Sequence, residues 1–457
     1  MTRLKEEILY INIYKSFVDK IKKGELKANE KLSSKRTLAK RKNVSIITVE
    51  KAYDQLLSEG YIYSIEKKGY YVSDIEFTGN REKKETTLKK DNDVQKYLFD
   101  FTSTSSGKDV FPFSSWAKIA RKVISNNKEE LLLPCSFKGH DSLRRAIANH
   151  LNNYLGINVS DDQIIISSGS ESLYSLLINF FGRNEIYALE DPGHTSISYI
   201  YDENQLNYNF IPLDEKGIRI DKLNEIASNI VHVSTNHHYP SGINMPISRR
   251  YELLNYAIKN NSIIIEDDYD SELRLKGKPI PPLYSLDESG HVIYLNTFSM
   301  TLAPSFRIAY MVLPKKILKQ YEIKMSNMKC SVPVLDQLIL ADFIFDGSFE
   351  RLLNRKKKKY RDIREKLLNE LNKRTDLKIS EADMGLHLLI EYPYDISDLK
   401  AEEIAQKLKM KIYTLSHFMH NKKDTHTLLV KYTSIDQNNL DLAIKLLNEL
   451  FDGLKSI

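Results

Sequence analysis

The chain has 457 residues, 42% hydrophobic and 28% charged, ample for one large α/β domain plus a small one and too long for one small domain. Two cysteines, no charged-then-apolar leader and no apolar run near the ~20 residues of a membrane helix exclude a disulfide scaffold and a bilayer-spanning helix. They set the expectation of a cytoplasmic protein whose cysteines are small buried hydrophobes. The net charge of +6 is carried wholly by residues 1–75, with 16 Lys and Arg against 10 Asp and Glu, which fits one small domain meeting a polyanion.

The N-terminal residues form a recognisable series. Ile13, Phe17, Val18 and Ile21 fall on one helical stripe, and Gly24 stops it. Ser33 and Ser34 are placed to cap a short helix over 35–41, and Ser45 a third over 46–58 that ends at Gly60. Two β-rich runs, 61–65 and 70–72, flank a hairpin tip that exposes Lys67 and Lys68. A helix, a helix-turn-helix and a basic wing, in that order, read as a winged helix-turn-helix.

Residues 8–73 are similar to the GntR-type DNA-binding domain, through Gly24, Glu25 and Leu26, the run 32–39, Thr48, Val49, Ala52, Tyr53, Leu56, and the run 69–72. The resemblance implies that 46–58 is the recognition helix, with Ser45 and Thr48 turned to phosphates or base edges. It assigns Lys35, Arg36 and Lys51 to the DNA backbone and Lys67 and Lys68 to contacts from the wing, with Ser34 also among the DNA-binding residues. Leu38, Val49, Tyr53 and Leu56 fit the core. Ser33 stands where the family usually has proline.

Residues 75–98 are charged and poor in apolar side chains, and read as a flexible linker between a domain at 1–74 and a second at 99–457. From residue 99 strands and helices alternate, the texture of an open, mainly parallel α/β sheet. Residues 164–173 read as a strand, a glycine turn and a helix start, where the amides of Ser170 and Glu171 would receive an anion. A buried strand at 263–267 ends in Asp267 and is followed by Tyr269, and such strand ends collect functional residues. Residues 293–310 are an apolar strand, a small-polar turn with Thr297 and Ser299, and a second strand opened by Arg307, whose planar fork suits a phosphate. The lysines at 356–359 read as a solvated helix face. His237 and His238 are adjacent, so their side chains point apart, and no carboxylate or cysteine lies at ligand spacing; no metal site is expected.

The stretch 293–310 resembles the cofactor-lysine segment of fold-type I pyridoxal-phosphate (PLP) aminotransferases, in the version found in MocR/GabR-type bacterial regulators. The likeness extends over about 99–452, through the runs 187–195, 233–242 and 263–272. It implies that the phosphate sits against Ser170, Glu171, Thr297, Ser299 and Arg307. It also implies that His194 stacks on the pyridine ring, Asp267 pairs with the ring nitrogen and Tyr269 bonds the ring oxygen. Three positions depart from the pattern. Met300 replaces the lysine that forms the Schiff base, Glu171 replaces a neutral glutamine, and His194 replaces a tyrosine. Lys431 is the one cation near the place of the arginine that binds a substrate carboxylate.

The resemblance therefore implies a regulator: a homodimer that binds a double-stranded DNA operator and senses a small-molecule effector. A PLP-dependent aminotransferase with a fused DNA-binding domain is the rival reading. It is disfavoured because a thioether can neither form the imine nor shuttle a proton, and because the carboxylate arginine is missing. Met300 itself leaves three explanations open: PLP or a PLP–amino acid adduct held without a covalent link, a different ligand, or a replacement engineered into a lysine-bearing parent.

Overall fold

The structure, a computed structural model, describes residues 2–75, 97–103, 109–277, 280–380 and 385–456. The chain divides into two compact units, Met1–Val94 and Gln95–Ile457. Almost all of the segment expected as a linker lies outside the described residues. At its far end Leu98 donates its N–H to the Lys409 carbonyl at 2.7 Å, so regular pairing in the second unit starts before the expected residue 99.

In the first unit α1 (Thr2–Lys22), α2 (Lys35–Lys42) and α3 (Ile46–Ser58) precede a hairpin of β1 (Ile62–Ile65) and β2 (Gly69–Val72). The Ser34 and Ser45 hydroxyls accept the N–H groups of Thr37 and Thr48, so each short helix begins at its capping serine. Leu38, Val49, Ala52, Tyr53 and Leu56 are fully buried and form the core with Ile13, Val18 and Ile21 of α1. The Tyr53 hydroxyl reaches the Ser33 carbonyl at 2.9 Å and ties α3 to the entry of α2.

The second unit opens with β3 (Phe99–Asp100), α4 (Phe113–Asn126) and α5 (Asp141–His150). Its main sheet contains β4 (Ile164–Ser167), β5 (Ile186–Asp191), β6 (Asn207–Asp214), β7 (Gly217–Ile218), β8 (Ile230–Val233), β9 (Ile263–Asp267), β10 (Val292–Thr297) and β11 (Ala309–Val312). The spatial order is β4-β11-β10-β9-β8-β5-β6-β7. Five neighbours, from β10 to β6, run parallel, whereas β11 is antiparallel to both β10 and β4. The strands β4, β8, β9, β10 and β11 are buried along nearly their whole length, as helices on both faces require. A second, antiparallel sheet joins β12 (Lys378–Ser380), β13 (His387–Glu391), β15 (Tyr413–Thr414) and β16 (Thr427–Lys431). Between them in the chain, β14 (Met410–Lys411) pairs in parallel with β3.

Because β4, β5, β8, β9 and β10 point the same way, their carboxyl ends share one edge of the sheet. That edge is where α6 (Ser170–Phe181) and α7 (Thr195–Glu203) begin. No described helix is long and apolar enough to cross a membrane.

Candidate functional site

The strand ends and the starts of α6 and α7 enclose a cleft of about 620 Å3, with Lys431 of the second sheet on its far wall. Asp267, Tyr269, Thr297, Ser299, Met300, Arg307, Ser170, Glu171 and His194 all line it, although they span more than 130 residues of sequence.

Asp267 terminates β9. Its carboxylate accepts the Tyr174 hydroxyl from α6 and lies 3.9 Å from Nε2 of His232 on β8. Burial lifts the Asp267 carboxyl from 3.8 to about 6, although the Tyr174 hydrogen bond opposes the shift. Burial holds His232 neutral, at about 3; its Nδ1 meets the Tyr201 hydroxyl at 3.1 Å, while its buried Nε2 has no hydrogen-bond partner. Asp267 is therefore a poorly solvated carboxylate with a stored demand for a cationic partner.

Tyr269 donates its hydroxyl to the His237 carbonyl at 2.8 Å, leaving its oxygen lone pairs as the group it offers to the cleft. His194 is the N-cap of α7, its Nδ1 accepting the Ser196 N–H, with its ring tilted 44° against Tyr239 at 5.4 Å. Lys431 holds its ammonium 4.4 Å from the Tyr239 ring centre, and burial lowers it from 10.5 to about 8.

The anion end is built on α6. Gly169 has φ +94°, and a Cβ there would come within 2.9 Å of Arg307 Nη2, so glycine gives the guanidinium room over the helix start. Arg307 itself adopts φ +50° after the turn Pro304–Phe306. Its fork is ion-paired to the Glu171 carboxylate, both side chains being about half exposed. Glu171 thus faces the pocket, with its carboxylate on the same guanidinium that a phosphate would use. Thr297 caps the single helical turn Phe298–Thr301, accepting the Ser299 N–H at 3.2 Å and donating to Ser299 Oγ at 3.0 Å.

Met300 sits on that turn, half-buried against the main core, and lines the cleft. Its carbonyl and that of Leu302 each accept Lys356 Nζ at 2.9 Å. Lys356 is completely buried and Lys359 nearly so, the latter on Asp109 at 2.9 Å. The expectation of a solvated lysine face is therefore corrected for these two: three residues apart on a helix, they share its inner side. Burial brings Lys356 from 10.5 down to about 7.

A buried carboxylate beside an imidazole whose Nε2 lacks a hydrogen-bond partner suits a protonated pyridine, and Gly169, the first turn of α6 and Arg307 outline an anion cradle in which the Glu171 carboxylate now pairs with the guanidinium. No amine stands at position 300. The arrangement suits the ring and the phosphate of PLP. Sequence reasoning missed Tyr174 and His232, because their relation to Asp267 depends on strand order. Among the described residues no group of three or more His, Cys, Asp or Glu is arranged to hold a metal.

On the first unit Ser34, Arg36, Ser45, Lys51, Lys67 and Lys68 are exposed. Arg36, Thr37, Lys40 and Arg41 line a shallow basic depression on α2. Lys35 is half-buried and turned inward, 2.7 Å from Glu50 and over the Tyr70 ring. Thr48 is corrected: it is only 3% exposed, with its hydroxyl 2.7 Å from Ser45 Oγ, so it completes the cap instead of reaching a base. The sequence reading also passed over Ile46 and Ile47, which are 47% and 63% exposed at the start of α3. Two exposed isoleucines beside a cap on a helix-turn-helix were the available signal.

Comparison with known proteins agrees with this geometry. Residues 9–72 match the family of bacterial regulatory proteins of the gntR type. The chain is 34% identical over 441 residues to the HTH-type transcriptional regulator YdeL of Bacillus subtilis (strain 168), covering 96% of this chain and 95% of that protein. It is 28% identical to the probable rhizopine catabolism regulatory protein MocR of Rhizobium meliloti, covering 98% and 94%. The kynurenine aminotransferase of Pyrococcus horikoshii, solved in complex with PMP, superposes with a TM-score of 0.69 at 26% identity, over 78% of this chain and 91% of that one. The fold and site define a winged helix-turn-helix joined to a fold-type I aminotransferase-like unit. The chain belongs to the MocR-type family of HTH transcriptional regulators, whose gntR-type domain binds DNA.

Proposed function

We propose that the aminotransferase-like unit of this regulator binds PLP, a PLP–amino acid adduct or a related metabolite without covalent attachment. We propose further that the bound ligand sets how the winged helix engages a DNA operator, within a cytoplasmic homodimer. The division of labour follows 1–74 for DNA, 75–98 for the connection and 99–457 for the effector. The observation that carries this reading is the pairing of an intact ring site, Asp267 with Tyr174 and His232, with a thioether at position 300.

When bound, PLP supplies an aldehyde that captures primary amines and a ring that acts as an electron sink. Asp267 would hold the ring nitrogen, relieving its own desolvation; Tyr269 would accept at the ring oxygen. Arg307, Ser170, Thr297 and Ser299 would hold the phosphate, with Glu171 displaced. Lys431, weakly solvated and facing the cleft, supplies positive charge for a carboxylate on the effector. No side chain at position 300 can move a proton, so turnover is not expected and occupancy becomes the signal.

The test is a PLP titration of the full chain followed by dialysis and, separately, by borohydride reduction. Saturable binding that dialyses away and leaves no lysine modified supports the reading. Absence of binding removes PLP as the ligand. A reduced link to a lysine, or steady amino transfer, favours the enzyme.

A further inference from the structure

The two cysteines, 195 positions apart in the chain, come together beside the cleft, which corrects their reading as isolated hydrophobes. Cys135 lies on the irregular segment before α5, and Cys330 on the connector into the helix Val334–Phe345. Both are partly exposed. Gln337 Nε2, fully buried, is 3.7 Å from Cys135 Sγ and 3.6 Å from Cys330 Sγ. The sulfurs are therefore no farther apart than those two lengths laid end to end. The same Gln337 fixes both segments, accepting the His140 N–H at 2.7 Å and donating to the Val332 carbonyl at 2.8 Å.

The pair also leans on the anion cradle. Cys330 Sγ donates to the Ile166 carbonyl of β4 at 3.6 Å. The next residue, Ser331, accepts the Ser168 N–H at 3.2 Å and meets Ser168 Oγ at 2.8 Å. Ser168 leads directly into Gly169 and the first turn of α6. Nothing in the proposed ligand binding uses either thiol.

We infer that Cys135 and Cys330 form a reversible intramolecular disulfide that loosens the Ser168–Ser170 turn and so couples ligand affinity to the thiol–disulfide balance. As these are the chain's two cysteines, no other internal disulfide is available. The oxidant is a low-molecular-weight disulfide. The Cys135 thiolate attacks one of its sulfurs, expels a small thiolate and becomes a mixed disulfide. Cys330, its thiol pushed up to about 11 mainly by burial, gives up its proton and attacks the Cys135 sulfur as the resolving partner, expelling a second small thiolate. Two protein thiols are oxidised and one small disulfide is reduced to two thiols, which carry the released protons. The step removes the S–H that Ile166 accepts and re-anchors the connector that carries Ser331.

The disulfide rests on cysteine geometry alone; its effect on affinity rests on the ligand reading above. The full chain is equilibrated with oxidised or reduced glutathione, blocked with a maleimide and mapped by peptide mass. The expected result is loss of both maleimide sites, a peptide linking 135 to 330 in monomer-sized chains, and recovery with dithiothreitol. Cys135→Ser and Cys330→Ser should stop at a mixed disulfide or a free thiol. If either variant fails to fold, the wild-type map still decides. Thiols that stay free, or only mixed or intermolecular disulfides, overturn the inference. PLP is then titrated into both forms, with at least about fivefold weaker binding expected after oxidation. Equal affinities with the disulfide formed overturn the coupling. Absence of PLP binding in both forms counts against the ligand reading and leaves the disulfide standing.

Discussion

Replacing Asp267 by asparagine separates a ligand role from a structural one, because the two predict effects of opposite sign. The carboxyl is lifted from 3.8 in the unfolded chain to about 6 in the fold, mainly by burial. A folded value raised in this way means that stability is fully present below pH 3.8 and is lost as pH rises to about 6. The gap corresponds to roughly 3 kcal/mol at neutral pH. Asparagine is nearly isosteric, can still accept from Tyr174, and carries no charge to desolvate. Asp267→Asn should therefore stabilise the ligand-free protein at pH 8 by about 1–3 kcal/mol, and the difference should vanish near pH 4. Thermal unfolding across that pH range reads this as a rise of a few degrees in alkaline buffer. The same variant should weaken PLP by about 10–100-fold, because a hydrogen bond to a charged ring nitrogen is worth roughly 1.5–3 kcal/mol. A variant that is less stable at pH 8, or that binds PLP as tightly as the parent, would refute the placement of Asp267 as an unsatisfied partner for a cation.

Glu171→Gln should free Arg307 and tighten PLP and inorganic phosphate alike; because the pair is half exposed, a gain beyond about fivefold in calorimetry is not expected, and a loss would contradict the competition. Met300→Lys should restore a covalent link, read as a reducible lysine adduct; an unmodified variant would show that the pocket departs from the aminotransferase frame in more than this residue. Arg36→Ala should weaken operator binding with the fold unchanged and lower the slope of log affinity against log salt by about one, as measured by gel shift across a salt series. Ser45→Ala should destabilise the first unit by about 1 kcal/mol in urea unfolding, since it removes the oxygen that accepts the Thr48 N–H.

Local signals were the legible ones. The helix expected over 46–58 has those bounds in the structure because a capping serine starts it and Glu59–Gly60 ends it, both written in a few adjacent residues. The open, mainly parallel sheet was legible in its alternating apolar runs. Asp267 was found as a candidate because strand ends carry function in such folds, and Arg307 because a planar guanidinium suits a phosphate. Contacts across the fold were not legible. Tyr174 reaches Asp267 only because β4 and β9 lie in one sheet with α6 above them. The lysine run hid two faces of one helix, and Lys356 turns inward to the carbonyls of Met300 and Leu302. Thr48 was misassigned because an N-cap hydroxyl partner and a base-reading side chain look alike in a sequence. The cysteine pair depends on Gln337 drawing together segments from two distant parts of the chain.

If occupancy of the cleft is reported at DNA without chemistry at position 300, the affinity of the full chain for an operator chosen by in vitro selection, at fixed salt, depends on saturating PLP and amino acids. Ligand should then change the affinity of the parent protein, Asp267→Asn should abolish the change at the same ligand concentration, and no amino acid should be consumed. Identical affinities with the cleft demonstrably filled would contradict it.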